Sequence, residues 1–379
     1  MIVERVLIQG GGIGGLIAAT ALARRGVAVD VVEQRPAGSV LGVGLIQPAN
    51  ALRVMAEIGV LEECLAAGYQ GGGLRVIGPD GTVVADAPVQ VPDDLPVAGS
   101  SLQRRELCRI LLDAAVAAGA RLYHGATTAT IADGADGVTV TFSGESVPAD
   151  GRYDLLLGFD GIRSAVRRHL FSERYEPKLT GFSVWRVSLP RPAELDRTVF
   201  SFAGPVKATL IPLSANDCYL ALVAPEASPQ HGLTAADIAG QMTEMLAPFG
   251  GWIGGLREVI PGQDSAAYGP IEEVTVAGPW ARGRILVGGD ATHATSPHMA
   301  QGAAMAAEDA IVLAHELDRA DRLDRALDAW YRRRLPRAGL VQSYSTALMR
   351  QEQGEPTDAD LRLLELPLPA VQARLAEPY

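Results

Sequence analysis

Gly10-Gly11-Gly12-Ile13-Gly14-Gly15 has the spacing of a phosphate cradle, and Glu33 stands where a carboxylate would meet a ribose. Gly10 permits a tight turn, Gly12 lets the backbone approach a pyrophosphate, and Gly15 allows a helix to pack closely on a strand. The helix that follows aims free N–H groups and the positive end of its dipole at the phosphates. Glu33, with Gln34 and Arg35 beside it, would accept hydrogen bonds from a pair of ribose hydroxyls. The motif specifies a dinucleotide and admits either NAD or FAD.

The elements around these residues are those the chemistry needs. Arg5 to Gln9 is a short apolar run, Leu16 to Arg25 an Ala/Leu-rich helical stretch and Val27 to Val32 a second strand, which together make a βαβ start. Helical spacing recurs over Asn50 to Leu65 and Arg104 to Ala118. Alternating segments dominate Thr127 to Asp160 and Phe182 to Val223, and Thr234 is placed to begin a helix with Asp237 in its first turn. Arg284 to Val287 returns to a buried strand, followed by an Ala-rich helix from Gly302 to Leu317. Arg319 to Arg337 reads as a charged helix with a solvated face.

This pattern predicts an α/β protein with a Rossmann-like dinucleotide-binding domain (1-70, 97-178 and 282-340), an inserted β-sheet substrate domain (71-96 and 179-281) and a C-terminal helical tail (341-379). The 379 residues carry 33 Lys plus Arg against 44 Asp plus Glu, a net charge of -11, so a nucleic-acid backbone is excluded as partner. Three scattered cysteines fit neither a disulfide framework nor a metal pair, and no metal is expected. With no leader and no long apolar run, the expectation is a cytoplasmic protein without a membrane partner, a monomer or homodimer. The 42 glycines exceed the usual ~7% of a chain, which makes their placement informative.

Two later segments carry a family resemblance. Asp160-Gly161-Ile162-Arg163-Ser164-Ala165-Val166-Arg167 resembles the D-G-x-x-S-x-x-R element of flavoprotein aromatic hydroxylases. Gly289-Asp290-Ala291-Thr292-His293, with Pro297 and Gln301-Gly302 after it, resembles their G-D-x-x-H-x-x-x-P element. With the fingerprint, the chain resembles the class A FAD-dependent monooxygenases of the p-hydroxybenzoate hydroxylase type. Pro297-His298-Met299-Ala300-Gln301-Gly302 further resembles the 6-hydroxynicotinate 3-monooxygenases.

The resemblance implies FAD as cofactor, NADH or NADPH as a transient reductant, and O2 and a small aromatic or N-heteroaromatic molecule as substrates. Hydroxylation would proceed through a flavin C4a-hydroperoxide. It places Asp160, Gly161, Arg163, Gly289, Asp290, Pro297, Gln301, Gly302, Ala303 and Ala304 at the cofactor, Arg104 at its phosphate or ribitol oxygens, and Gly42 and Gly44 in a loop beside the ring. Ala300 and Ala304 stand where the family often has Gly and Asn.

His298 is the first candidate for a base or substrate hydrogen bond, since an imidazole titrates near neutrality. Arg186 or Lys207 could hold a carboxylate, with Trp185, Phe200, Phe202 and Tyr219 as further pocket residues on predicted strands. A non-oxygenating flavoprotein or a halogenase of the same fold is the alternative, although Trp185 stands alone where a halogenase would show W-x-W-x-I-P. A non-catalytic dinucleotide-binding protein is the remote one.

Overall fold

The computed structural model describes residues 1–379 apart from 40–42, 72, 88–89 and 150, so Gly42, expected beside the flavin ring, lies outside the described residues. Arg5–Gln9 runs parallel to Ala28–Glu33 on one side and to Leu155–Gly158 on the other. Strands covered on both faces have no reason to alternate in polarity, and these are near-continuous apolar runs. The six-stranded sheet has the order Ala281–Arg282, Ile285–Val287, Leu155–Gly158, Arg5–Gln9, Ala28–Glu33, Arg121–His124, with only the first strand antiparallel to its neighbour.

The fingerprint helix, Ile13–Ala23, is apolar all round and buried at every residue but Ala23. Such a helix belongs inside a protein. It packs against Gly302–Arg319 and Arg104–Ala117, so the phosphate turn sits on a helix that is fixed from several sides.

The second sheet has seven strands in the order Ala267–Glu273, Lys178–Pro190, Asp217–Pro225, Val206–Pro212, Thr198–Ala203, Leu74–Ile77, Val83–Ala87. One face packs under Ala235–Met245, a helix opened by a Thr234/Asp237 capping box. Phe182, Val184, Ala221 and Val223 on the other face pack with Met349 near the C-terminal end of the chain.

Two expectations change. Asn50 to Leu65 is not one helix but Ala49–Glu57 and Leu61–Ala67, separated at Gly59, whose φ of 75° favours glycine and ends a helix. Arg319 ends the Gly302–Arg319 helix, and the charged stretch resumes in a separate 31-residue helix, Leu323–Gln353, that continues past residue 340. The expected solvated face is there, with Arg322, Asp324, Arg325, Asp328 and Arg332 exposed, but the opposite face is core: Trp330 and Arg334 are buried, the guanidinium neutralised by Glu308 and Asp309 of the preceding helix.

Candidate active site

At the phosphate turn, each glycine has a different reason to be glycine. A Cβ on Gly10 would lie 2.2 Å from the Phe159 carbonyl oxygen, and one on Gly15 would lie 1.9 Å from the Gly10 carbonyl oxygen. Gly14 is pressed on the Phe159 ring and Ile13 is buried. A Cβ on Gly12 would meet nothing within 4 Å. That emptiness lies at the N-terminus of the helix, where four backbone N–H groups lack partners. Glu33 accepts from the Gly11 N–H at 2.8 Å and the Arg35 N–H at 2.9 Å, which aims its carboxylate across the turn, while Gln34 and Arg35 are exposed beyond the strand end.

The Asp160 loop is a brace. One Asp160 oxygen, Oδ2, accepts from Gln9 Nε2 and from the backbone N–H groups of Ala165 and Val166, while Oδ1 is enclosed without a hydrogen-bond partner among the described residues. Burial pushes this carboxyl above its ordinary range against those hydrogen bonds. Gly161 has a φ of 78° and supplies the turn.

Arg163 is exposed and pairs with Glu272 at 2.9 Å. The last arginine of the same element, Arg167, is the buried one, donating to the carbonyls of Ile162 at 2.7 Å and Ala291 at 3.2 Å. It ties the Asp160 loop to the Gly289-Asp290 loop. The motif itself carried that signal.

Gly289 adopts φ 59° and ψ -141°, a conformation that strongly favours glycine, and its N–H donates to Asp309 Oδ2 at 2.9 Å. Asp290 follows with an exposed carboxylate free of side-chain partners among the described residues. His293 is buried and bonded to Asp309 at 2.6 Å, which confirms it as a brace of this loop. Burial pushes the Asp309 carboxyl up, but His293 and Arg334 outweigh it and hold it well below its ordinary range.

Pro297 opens a short 3-10 turn, and Ala300 closes it in the left-handed region at φ 53°, ψ 32°. An L-residue with a Cβ is held there at a cost of roughly 1 kcal/mol or more. We expect Ala300→Gly to raise stability toward urea by about 1 kcal/mol. An unchanged urea midpoint would show that this turn is unstrained.

Gly302 begins the next helix with nothing within 4 Å of its Cβ position, so its first turn faces open space. Ala304 is wholly buried, which removes its side chain from the cofactor side; Ala303 is only partly covered. Arg104, at the start of Arg104–Ala117, is exposed and makes no ion pair among the described residues. Gly44 is required for a second reason: its Cβ would lie 2.5 Å from the Leu213 side chain of the second sheet.

On that sheet, strand parity sorts the candidates. Arg186 faces Ala221 and Ala267, Ala221 faces Thr209, and Thr209 faces Phe200, so one row crosses the sheet on one face. Lys207, Phe202 and Tyr219 lie on the same face by the same registers. Trp185 is corrected. As the neighbour of Arg186 it points the other way, into the core under Ala235–Met245, with Nε1 donating to Gln241 at 2.6 Å.

Lys207 does not stand free. Its ammonium lies 2.6 Å from Glu352 Oε1 and over the rings of Phe200 and Phe202 at 5.3 and 5.7 Å. Glu352 Oε2 is 3.1 Å from His298 Nε2, and His298 Nδ1 is 2.9 Å from Ser296 Oγ. Burial pushes the Glu352 carboxyl up, but His298 and Lys207 outweigh it and hold it below its ordinary range.

With both ring nitrogens engaged and a side chain only 1% exposed, His298 is not open to a substrate as a direct base. Arg186 is different. It is half-buried with neither ion pair nor hydrogen bond among the described residues, and Ala221 and Ala267 leave space beside it.

The open surfaces at Gly12 and Gly302, the free Asp290 carboxylate and the unpaired Arg104 fit FAD. A cradle for the pyrophosphate, an acceptor for a ribitol hydroxyl and a helix N-terminus for the ring edge are all present. Comparison with known proteins agrees. The FAD binding domain family matches residues 4–220 and 271–344.

The chain is 34% identical over 364 residues to YetM of Bacillus subtilis (strain 168), assigned as an FAD-dependent monooxygenase, covering 94% of this chain and 96% of that one. It is 30% identical over 331 residues to the 6-hydroxynicotinate 3-monooxygenase of Bordetella bronchiseptica, with 82% and 81% covered. The tetrameric form of 2-methyl-3-hydroxypyridine-5-carboxylic acid oxygenase shares the fold at a TM-score of 0.80 and 24% identity, over 98% of this chain and 97% of that one. With a family model matched over most of its length and a monooxygenase relative 34% identical along nearly the whole chain, the chain belongs to the FAD binding domain family and, within it, to the FAD-dependent monooxygenases.

Proposed function

We propose that this monooxygenase hydroxylates an aromatic or N-heteroaromatic ring bearing an acidic group, with NAD(P)H as electron donor and O2 as co-substrate. The observation that carries the acidic group is Arg186, a half-buried cation on the facing sheet without a partner among the described residues. Lys207, the other candidate, is already neutralised by Glu352. Bound FAD supplies the hydride acceptor and the activated oxygen.

The chain's own residues bind and orient. Arg186 takes the acidic group, Phe200 supplies an apolar wall and the Tyr219 hydroxyl offers a hydrogen bond. His298, Glu352 and Lys207 close the other end of the face as one linked unit. The relative that acts on 6-hydroxynicotinate, an acidic N-heteroaromatic, supports this reading. No helix among the described residues is long and apolar enough to cross a membrane. A cytoplasmic monomer or homodimer remains part of the proposal, to be read by sizing.

The test is a screen of hydroxylated benzoates, pyridines and quinolones for stimulated NAD(P)H oxidation, with labelled oxygen traced into the product. For a responding carboxylated substrate, Arg186→Leu should raise KM by about 10- to 100-fold, as expected for losing a charge-assisted hydrogen bond. Lys207→Met should change it little. An Arg186→Leu enzyme with unaltered KM for that substrate would sink the assignment.

A further inference from the structure

Glu308 is wholly buried in the Gly302–Arg319 helix, paired with Arg334 and, at 2.8 Å, with Arg337. Burial pushes its carboxyl up, but the two guanidinium groups outweigh it and keep it ionised. An ionised carboxylate accepts hydrogen bonds and cannot donate. Its Oε1 lies 2.7 Å from Asn50 Nδ2, so the Asn50 amide must turn its nitrogen toward Glu308.

The other hydrogen on that nitrogen goes to Gln301 Oε1 at 3.0 Å. The Gln301 amide is fixed in turn, with its oxygen toward Asn50 and its NH2 group away from it. Gln301 Nε2 has no partner among the described residues, yet it is not one of the enclosed polar atoms that lack one. It therefore keeps some exposure although the residue as a whole is buried, and the next residue, Gly302, has nothing within 4 Å of its Cβ position.

From this sequence of forced orientations we propose that Gln301 donates a hydrogen bond to the flavin ring, and that Asn50 and Glu308 are positioning residues that keep its NH2 group turned toward the ring. The inference rests on the cofactor placement given above. A fixed donor interacts more strongly with an acceptor that carries charge, so it favours the ring in its reduced, more negative state. If Gln301 were flipped, a carbonyl oxygen would face the ring and the preference would reverse. The buried acid thus sets the sign of a dipole at the cofactor two residues removed from it in the hydrogen-bonded series.

The experiment measures the midpoint potential of bound FAD and, by fluorescence, the affinity of the apoprotein for FAD. Gln301→Met should lower the ratio of reduced-state to oxidised-state FAD affinity by about tenfold, which for a two-electron couple is roughly 30 mV. Asn50→Leu should produce the same drop, and the double variant should fall no further than Gln301→Met alone. Should Asn50→Leu fail to fold, Asn50→Ser, whose single O–H cannot serve both acceptors, carries the same expectation.

Gln301→Met protein that holds FAD at the wild-type potential overturns the inference alone. Additive shifts in the double variant also overturn it, because Asn50 would then act independently of Gln301. Wild-type protein that fails to take up FAD overturns the cofactor placement and the inference with it.

Discussion

Gly12→Leu should yield a folded, colourless protein of near wild-type stability, whereas Gly15→Ala should lose stability. The two positions are three residues apart in one motif, but their surroundings are opposite. Gly12 has extended backbone, φ -81° and ψ -173°, which any residue adopts, and no atom within 4 Å of its Cβ position. A leucine there starts in open space and would fill the place a pyrophosphate would use. We expect FAD affinity to drop at least about a hundredfold, near 2.8 kcal/mol, with the apoprotein's thermal midpoint close to wild type.

Gly15 has the Gly10 carbonyl oxygen 1.9 Å from its Cβ position. Even a methyl group forces the helix off the turn, at a cost of about 1–3 kcal/mol or more. Titration of the two apoproteins with FAD, alongside thermal melts, separates the effects. Equal FAD affinity in Gly12→Leu and wild type would refute the placement of the pyrophosphate.

Arg334→Met is expected to be the most destabilising single change outside the motif. Arg334 lies wholly buried between Glu308 and Asp309, and its removal leaves two buried carboxylates with reduced compensation. Breaking a buried pair from one side costs about 3–5 kcal/mol. Urea unfolding at fixed FAD should show the loss, since bound cofactor adds its own stabilisation.

The pH dependence has a definite sign. Asp309 is held at about 2 in the folded protein, below its ordinary value. Its ionised form therefore stabilises the fold above roughly pH 3.9 and ceases to do so as pH falls through the folded value. Without Arg334 that value rises, so acid unfolding should begin at higher pH than in wild type. An acid midpoint that does not move would mean that His293 alone holds the carboxylate.

The parts of the site that were legible in the sequence are those where one residue's backbone is the requirement. Gly10, Gly15 and Gly289 are dictated by local geometry or close approach, and such needs leave a fixed spacing in the chain. Strand parity was legible in principle, since Trp185 and Arg186 are adjacent and cannot share a face, but choosing between them needed the helix that covers one side. Arg163 and Arg167 both fall in one element, and only the packing shows which is enclosed.

The partners of Lys207 and His298 were beyond sequence reasoning. Glu352 is 145 residues from the lysine and 54 from the histidine, on a helix whose path past residue 340 no local pattern announced. Gln301 was named from a motif, yet its orientation depends on Asn50, 251 residues away.

The Leu323–Gln353 helix acts mechanically as a tie rod. Ahead of its midpoint Arg334 is anchored in the acids of the flavin-side helix; near its C-terminal end, Met349 packs with Phe182, Val184 and Val223 of the facing sheet, and Gln353 donates to the Thr180 carbonyl at 2.9 Å. A rod fastened to both halves resists any hinge between them. Substrate entry then has to use an opening already in the wall or the loosening of the rod's last turn, where Glu352 meets Lys207.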